Sequence, residues 1–185
     1  MGRIRRFGHA AIAILLAAGC GGARGGESRA VPKTLPEKVL VLPFEDLSGS
    51  GDPSVAPVVT GLFVAQLRLS RFGTMGPGET AELDPALAGI VPSRLDAAAA
   101  SRLANATGCD AIVIGAITVY QRGRSVGEER VGLRVRAVNA RTGRPIGGAT
   151  FSSDALASQT LHRGIDQLTQ YGVGLLVERM AGDPK

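Results

Sequence analysis

The sequence predicts one α/β domain over residues 38–185, a mixed sheet of about five strands flanked by helices. Three observations carry this. The runs Val39 to Phe44 and Ala111 to Val119 are continuously apolar and have the length of strands, as expected of strands buried on both faces. Between them, apolar residues recur at helical spacing. After them, Val131, Leu133, Val135 and Ala137 alternate with Gly132, Arg134 and Arg136, the period of a strand with one buried and one polar face.

Taken in order, Val39 to Phe44 is the first strand, and Asp46 to Pro57 is a loop rich in Ser, Gly, Asp and Pro. Val59, Leu62, Phe63 and Leu67 place an amphipathic helix over 58–69. A short strand is expected near Phe72–Met75, then a loop through Pro77, Gly78 and Pro85. Ser93 and Asp96 have the spacing of a capping box, with Asp in the acidic slot. Leu95, Ala99, Leu103 and Ala106 then share a helical face, and Gly108 is placed to stop that helix. Ala111 to Val119 follows as the second buried strand, and Gln121 to Glu129 is a polar turn with Gly123 and Gly127. Arg141-Thr142-Gly143-Arg144 reads as a hairpin turn, with Gly143 supplying positive φ, before a strand over 146–151. Strands joined by such short turns should be antiparallel. Leu161, Ile165, Leu168, Leu175 and the run from Val177 to Met180 give a closing helix. Gly164, Gly172 and Gly174 weaken it by about 1 kcal/mol each against Ala, so it should depend on packing.

The amino terminus has a different character. Arg3, Arg5 and Arg6 precede an apolar run from Ala10 to Ala18, and small residues lead to Cys20. This is the layout of a secretory signal over 1–19. The apolar run is shorter than the roughly 20 residues a transmembrane helix requires. Leu16-Ala17-Ala18-Gly19-Cys20 resembles the bacterial lipobox, although Leu16 stands four places before the cysteine and Ala17 fills the usual leucine position. That resemblance implies cleavage before Cys20 and lipidation on it, palmitate among the acyl groups. Several acyl chains on one residue suffice for stable anchoring in a bilayer. Gly21 follows, and the absence of Asp there implies, by the same resemblance, an outer-membrane lipoprotein facing the periplasm. Residues 21–36 lack a hydrophobic period, so 20–37 reads as the lipidated cysteine and a flexible tether.

Composition narrows the function. The chain has 21 Lys and Arg against 16 Asp and Glu, but three arginines leave with the signal, so the mature chain has 18 against 16, a net +2. That balance, with export, argues against nucleic acid as a partner. Cys20 is assigned to lipid, which leaves Cys109 alone, with no disulfide framework and the character of a small buried residue. With His9 in the signal, His162 is the only histidine of the mature chain. No His/Cys cluster has metal spacing and no phosphate-binding loop appears, so neither metal nor cofactor is expected. Glu45-Asp46 and Glu128-Glu129 are adjacent pairs, and neighbours on a strand point to opposite faces, so neither reads as an acid/base couple. The candidate residues for partner binding are Arg134 and Arg136 on one strand face, with Arg141 and Arg144 close in sequence. They form either a basic docking surface for an acidic partner or glycan, or the solvated face of an edge strand guarded against aggregation.

Three stretches carry a family resemblance: Val39 to Leu47 (Val-Leu-Val-Leu-Pro-Phe-Glu-Asp-Leu), Leu103 to Gly115 with its Gly-Cys-Asp-Ala-Ile-Val-Ile-Gly, and Leu133 to Pro145 with its Leu-Arg-Val and Arg-Thr-Gly-Arg. In this order, behind a lipobox, they resemble the bacterial envelope lipoprotein superfamily that includes the curli secretion channel CsgG, the peptidoglycan-synthase activator LpoB and the N-terminal domain of TolB. The resemblance implies a non-enzymatic lipoprotein that binds or assembles other envelope proteins. It leaves open a homo-oligomer, and as the alternative a subunit of an oligomeric secretion channel. The channel members build their pore from long inserted hairpins, one of them after the strand ending here at Tyr120. Only about ten residues, 121–130, lie there, whereas each membrane-crossing strand takes roughly 9–11. Residues 152–170 also lack an alternating lipid-facing pattern. The resemblance therefore implies the binding role without the pore.

Overall fold

The structure, a computed structural model, describes residues 35–83, 90–124, 128–156 and 164–182. The signal, Cys20, the tether up to Thr34, Pro85, Gly127, Leu161 and His162 lie outside the described residues. The elements are β1 (Lys38–Val41), β2 (Glu45–Asp46), α1 (Val55–Leu69), β3 (Gly73–Met75), α2 (Pro77–Leu83), α3 (Ala97–Thr107), β4 (Ala111–Gln121), β5 (Arg130–Asn139), β6 (Pro145–Ser152) and α4 (Ile165–Ala181), with 3-10 turns at Pro92–Arg94 and Ser153–Ala155.

The six strands form one mixed sheet in the order β3-β1-β4-β5-β6, with β2 also paired to β4. β1 is parallel to β3 and β4, and β2 is parallel to β4. β4, β5 and β6 are antiparallel, as their short connections require. The α/β class with a mixed sheet is the one the sequence predicts, with one more strand. The extra strand is β2, Glu45–Asp46, which lies beyond the apolar run Val39 to Phe44, and the run itself leaves its strand early. Pro43 has no N–H to give a ladder. β1 therefore stops at Val41, Leu42 N still donates to Val113 O at 3.0 Å, and the chain steps before β2 rejoins β4 opposite Ala116 and Ile117. Phe44 N inside the step donates to Thr60 Oγ1 of α1 at 2.9 Å, so no buried amide is orphaned there.

Each face of the sheet has its own core. On one face, Phe63 and Leu67 of α1 and Leu168, Leu176 and Val177 of α4 close over Val41, Val113, Ile117, Leu133 and Val135. This face is covered across its width. On the other, Ala100 and Leu103 of α3 cover Leu40, Ile112, Ile114 and Val138, with Cys109 among them. That second core takes only Val138 from β5 and nothing from β6, so among the described residues no helix covers the β5–β6 half of this face. Cys109 is the buried residue expected, and burial pushes its thiol pKa up.

Local chemistry moves several boundaries. α1 starts at Val55, three residues earlier than the hydrophobic period suggests, with Pro57 in its first turn, where a missing N–H costs nothing. Asp46, expected in a loop, pairs in β2. Pro77 and Gly78 form no loop but open α2, where Glu79 accepts from Gly76 N at 2.6 Å and satisfies an otherwise orphaned donor. Ser93 does not cap α3, since it sits in the preceding 3-10 turn. Asp96, read as the acidic partner of the box, is itself the cap, accepting from Ala99 N at 2.7 Å. Gly108 ends α3 at φ +67°, as expected. Among the described residues, no helix is long and apolar enough to cross a membrane.

Candidate partner-binding surface

β5 shows its alternation from Leu133 to Ala137: Val131, Leu133, Val135 and Ala137 are buried and Arg134 and Arg136 are exposed, whereas Gly132, expected on the polar face, is buried beside Thr118 and Val119 of β4. Both arginines project on the open face, because their ladder neighbours on β4 are Ile114 opposite Arg136 and Ala116 opposite Arg134. Across β6 the same rows meet Gly148 and Thr150. The open face is thus built of small residues, hydroxyls and two guanidinium groups. Neither Arg134 nor Arg136 forms an ion pair with a described residue. The row through Arg134 runs Glu45–Ala116–Arg134–Thr150 over four strands. Glu45 sits two strands from Arg134, roughly 10 Å at ordinary sheet spacing, and its carboxylate accepts from Ser93 N at 3.0 Å.

Arg141 and Arg144 do not join this pair. They are exposed at the hairpin tip, where Asn139 Oδ1 accepts from the amides of Arg141 and Thr142 at 3.0 Å each. Gly143 has φ +65°, and a Cβ there would stand 2.9 Å from Ala97 Cα. The tip is therefore held against the first residue of α3. At about 3.3 Å per residue, it lies well over 10 Å along the hairpin from Arg134. The structure separates the four candidates into a strand-face pair and a hairpin-tip pair.

Sequence reasoning missed Arg179. It projects from the last turn of α4, and its Nη1 donates to Thr150 O at 2.9 Å. Together with Arg134 it borders a cleft of about 570 Å³ that is also lined by Thr118, Ser152, Asp154, Leu156 and Leu175. Asp154 is engaged by Arg130 Nε at 2.8 Å. No sequence signal could have found this cleft, because it joins positions 29 residues apart through the packing of α4 on the sheet.

The acidic pair in β2 divides as expected of neighbours on a strand. Glu45 turns to Ser93, while Asp46 accepts from Ser48 Oγ at 2.5 Å and Ser50 Oγ at 2.8 Å. These hydroxyls, Ser48 first, hold the Asp46 pKa below the usual carboxylate range. Ser54 does the same for Asp52. Among the described residues, no group of three His, Cys, Asp or Glu side chains could hold a metal ion.

No family model and no curated relative matches the chain. Solved structures do match in fold. The PelC dodecamer of Paraburkholderia phytofirmans is similar in two crystal forms. One has a TM-score of 0.58 at 12% identity, covering 83% of this chain and 94% of that one. The other has a TM-score of 0.57 at 14% identity, covering 81% and 95%. The lipoprotein GNA1162 of Neisseria meningitidis aligns at a TM-score of 0.49 and 18% identity, over 68% of this chain and 90% of that one. At these identities the likeness is one of fold.

Proposed function

We propose that this chain is a lipid-anchored envelope protein that acts as a non-enzymatic binding and assembly factor for other envelope proteins. In this reading residues 1–19 are the signal, Cys20 carries the lipid, 20–37 is the tether, and 38–185 is the working domain, on the periplasmic side of the outer membrane. The observation that supports the binding role is the asymmetry of the sheet. One face is sealed by α1 and α4, while no described helix covers the β5–β6 half of the other, where Arg134 and Arg136 stand side by side and unpaired with any described acid. A face on which the described residues neither neutralise the arginines nor cover them suits a docked partner.

Two measurements test the reading. Mass analysis of the N-terminal peptide from membranes should show diacylglyceryl and amide-linked acyl mass on Cys20, and Cys20→Ser should release the protein from the membrane. A photo-crosslinker at position 136 should then trap an envelope protein in cells. An unmodified Cys20, or crosslinks no richer than those from a solvent-exposed site on α2, would sink the proposal.

A second reading is favoured by the likeness to a dodecamer: copies of this domain assemble into a ring that acts as a scaffold. The β4–β5 connection, residues 122–129, is too short for two membrane-crossing strands of roughly 9–11 residues each, so a ring would not gain a pore there. Light scattering of the lipidated protein, corrected for detergent, distinguishes a monomer or dimer from a closed ring.

A further inference from the structure

We propose that the cleft along the outer edge of β6 binds an extended, acidic segment of a partner protein as an added strand, with partner carboxylates met by Arg134 on one side of the edge and Arg179 on the other. This rests on the binding role proposed above and names its site and the chemistry of its partner.

The strand order leaves β6, eight residues long, at an edge of the sheet, with β5 as its one neighbour among the described strands. In an antiparallel ladder, alternate residues turn their backbone N–H and C=O away from the paired strand. Thr150 is such a residue, because its carbonyl accepts from Arg179 on the side away from β5. Gly148 and Ser152 lie two residues to either side and share its direction. The edge therefore offers a short ladder of backbone groups, which is what strand addition uses for affinity. Glycine at 148 leaves that end of the edge free of side-chain bulk.

The charges select the partner. Two guanidinium groups and one carboxylate line the cleft: Arg134, Arg179 and Asp154. Asp154 is taken by Arg130. Arg134 has no carboxylate among the described residues, and Arg179 is engaged by a neutral carbonyl. Two guanidinium groups on either side of one strand edge match carboxylates carried on an extended chain, since each can donate two parallel hydrogen bonds to a carboxylate. Leu156 and Leu175 add an apolar wall, which suits the alternate residues of a strand rather than a bare anion.

The test uses fluorescence anisotropy with the full lipidated protein in detergent. The probe is a labelled heptapeptide, Thr-Val-Glu-Val-Glu-Val-Thr, compared with the version carrying Lys for Glu and with a labelled oligogalacturonate. The acidic peptide should bind at least about tenfold tighter than the basic one, and Arg134→Glu and Arg179→Glu should each weaken it about tenfold, the scale of one charge-assisted hydrogen bond. Thr150→Pro removes an outward N–H without touching the β5 ladder and should weaken binding similarly, while Thr150→Val should not. Unchanged affinity in both arginine variants would overturn the proposal. So would oligogalacturonate binding as tightly as the acidic peptide and insensitive to Thr150→Pro, which would make the cleft a glycan site. If the crosslink from position 136 persists in Arg179→Glu, the binding role stands and this cleft is not its site. If no crosslink forms in the unaltered protein, the broader reading fails first.

Discussion

Two glycines one turn-fraction apart in α4 should respond to alanine with opposite signs. Gly172 and Gly174 both lie inside the helix, and both look like the same weakness in sequence. At Gly174 an added Cβ meets nothing within 4 Å. Gly174→Ala should therefore collect the helix-propensity gain of about 1 kcal/mol. At Gly172 the same atom would stand 2.4 Å from Phe151 Cδ1 and 2.5 Å from Cε1. Carbon atoms rest at about 3.5–4.0 Å, so the ring would have to retreat by roughly 1 Å or more. Phe151 has little room to do so, since it is 6% exposed and lies edge-on to Tyr171 with centroids 6.2 Å apart. Overpacking of this kind costs about 1–3 kcal/mol. With the upper end applied and the propensity gain returned, the net loss is about 2 kcal/mol. The assay is urea unfolding of the signal-free Cys20→Ser protein, followed by circular dichroism. With a slope of about 2 kcal/mol per molar urea, the midpoint should rise by about 0.5 M for Gly174→Ala and fall by about 1 M for Gly172→Ala. A Gly172→Ala midpoint at or above the parent value would refute the claim that this glycine is a packing requirement.

Three further outcomes are expected. Asp96→Ala should cost about 1 kcal/mol in the same unfolding assay by freeing the Ala99 amide, while Ser93→Ala should cost less, reversing the roles a capping box would give them. Asp46 is held ionised mainly by Ser48, so its depressed folded pKa gives stability that is present above the unfolded value of about 3.9 and lost as pH falls through the lower folded value; carbon-detected NMR titration should show this, and Ser48→Ala should move the midpoint upward. Cys109 is buried and its thiol pKa is raised, so a thiol reagent at neutral pH should label the folded protein far more slowly than the urea-unfolded one, and equal rates would contradict the burial.

The legible part of the fold was the part governed by periodicity. β5 alternates because one face packs into the helix-covered core while the other meets solvent, and that asymmetry is written residue by residue from Leu133 to Ala137. β4 reads as continuously apolar from Ala111 to Ile117 because both of its faces are buried there, Val113 and Ile117 under α1 and α4 and Ile112 and Ile114 under α3. The failures came where one residue's local chemistry overrode composition. Pro43 ends the first strand inside its apolar run, so that the next strand begins only at Glu45, and Pro77 with Glu79 starts a helix in a stretch rich in turn residues. The grouping of arginines was legible only within β5. That the hairpin tip folds against Ala97, carrying Arg141 and Arg144 away from the open face, depends on a contact between residues 46 positions apart. Arg179 was out of reach for the same reason. Phe44 over Gly115 is a further instance: a Cβ on Gly115 would fall 2.3 Å from the ring, a requirement invisible until β2 and β4 are paired.

Arg179 also bears on why an open edge is tolerated at all. An eight-residue edge strand with no charged side chain of its own is a template for unwanted pairing. β6 has two protections: Pro145 as its first residue, and Arg179 laid across Thr150 O. A guard and a receptor make opposite demands on the same guanidinium. As a guard alone, Arg179 should be replaceable by anything that blocks the edge, and Arg179→Ala should raise self-association while leaving binding of the acidic peptide intact. As a receptor, it should lower peptide affinity when removed, whatever happens to self-association. The carbonyl it occupies has a second lone pair, so an incoming strand can pair without displacing it. The two roles are then compatible: the arginine repels strands that bring no carboxylate and retains those that do. Scattering and anisotropy on Arg179→Ala and Arg179→Lys separate them. Lysine keeps the charge but loses the fork, so a guard survives that change and a bidentate receptor does not.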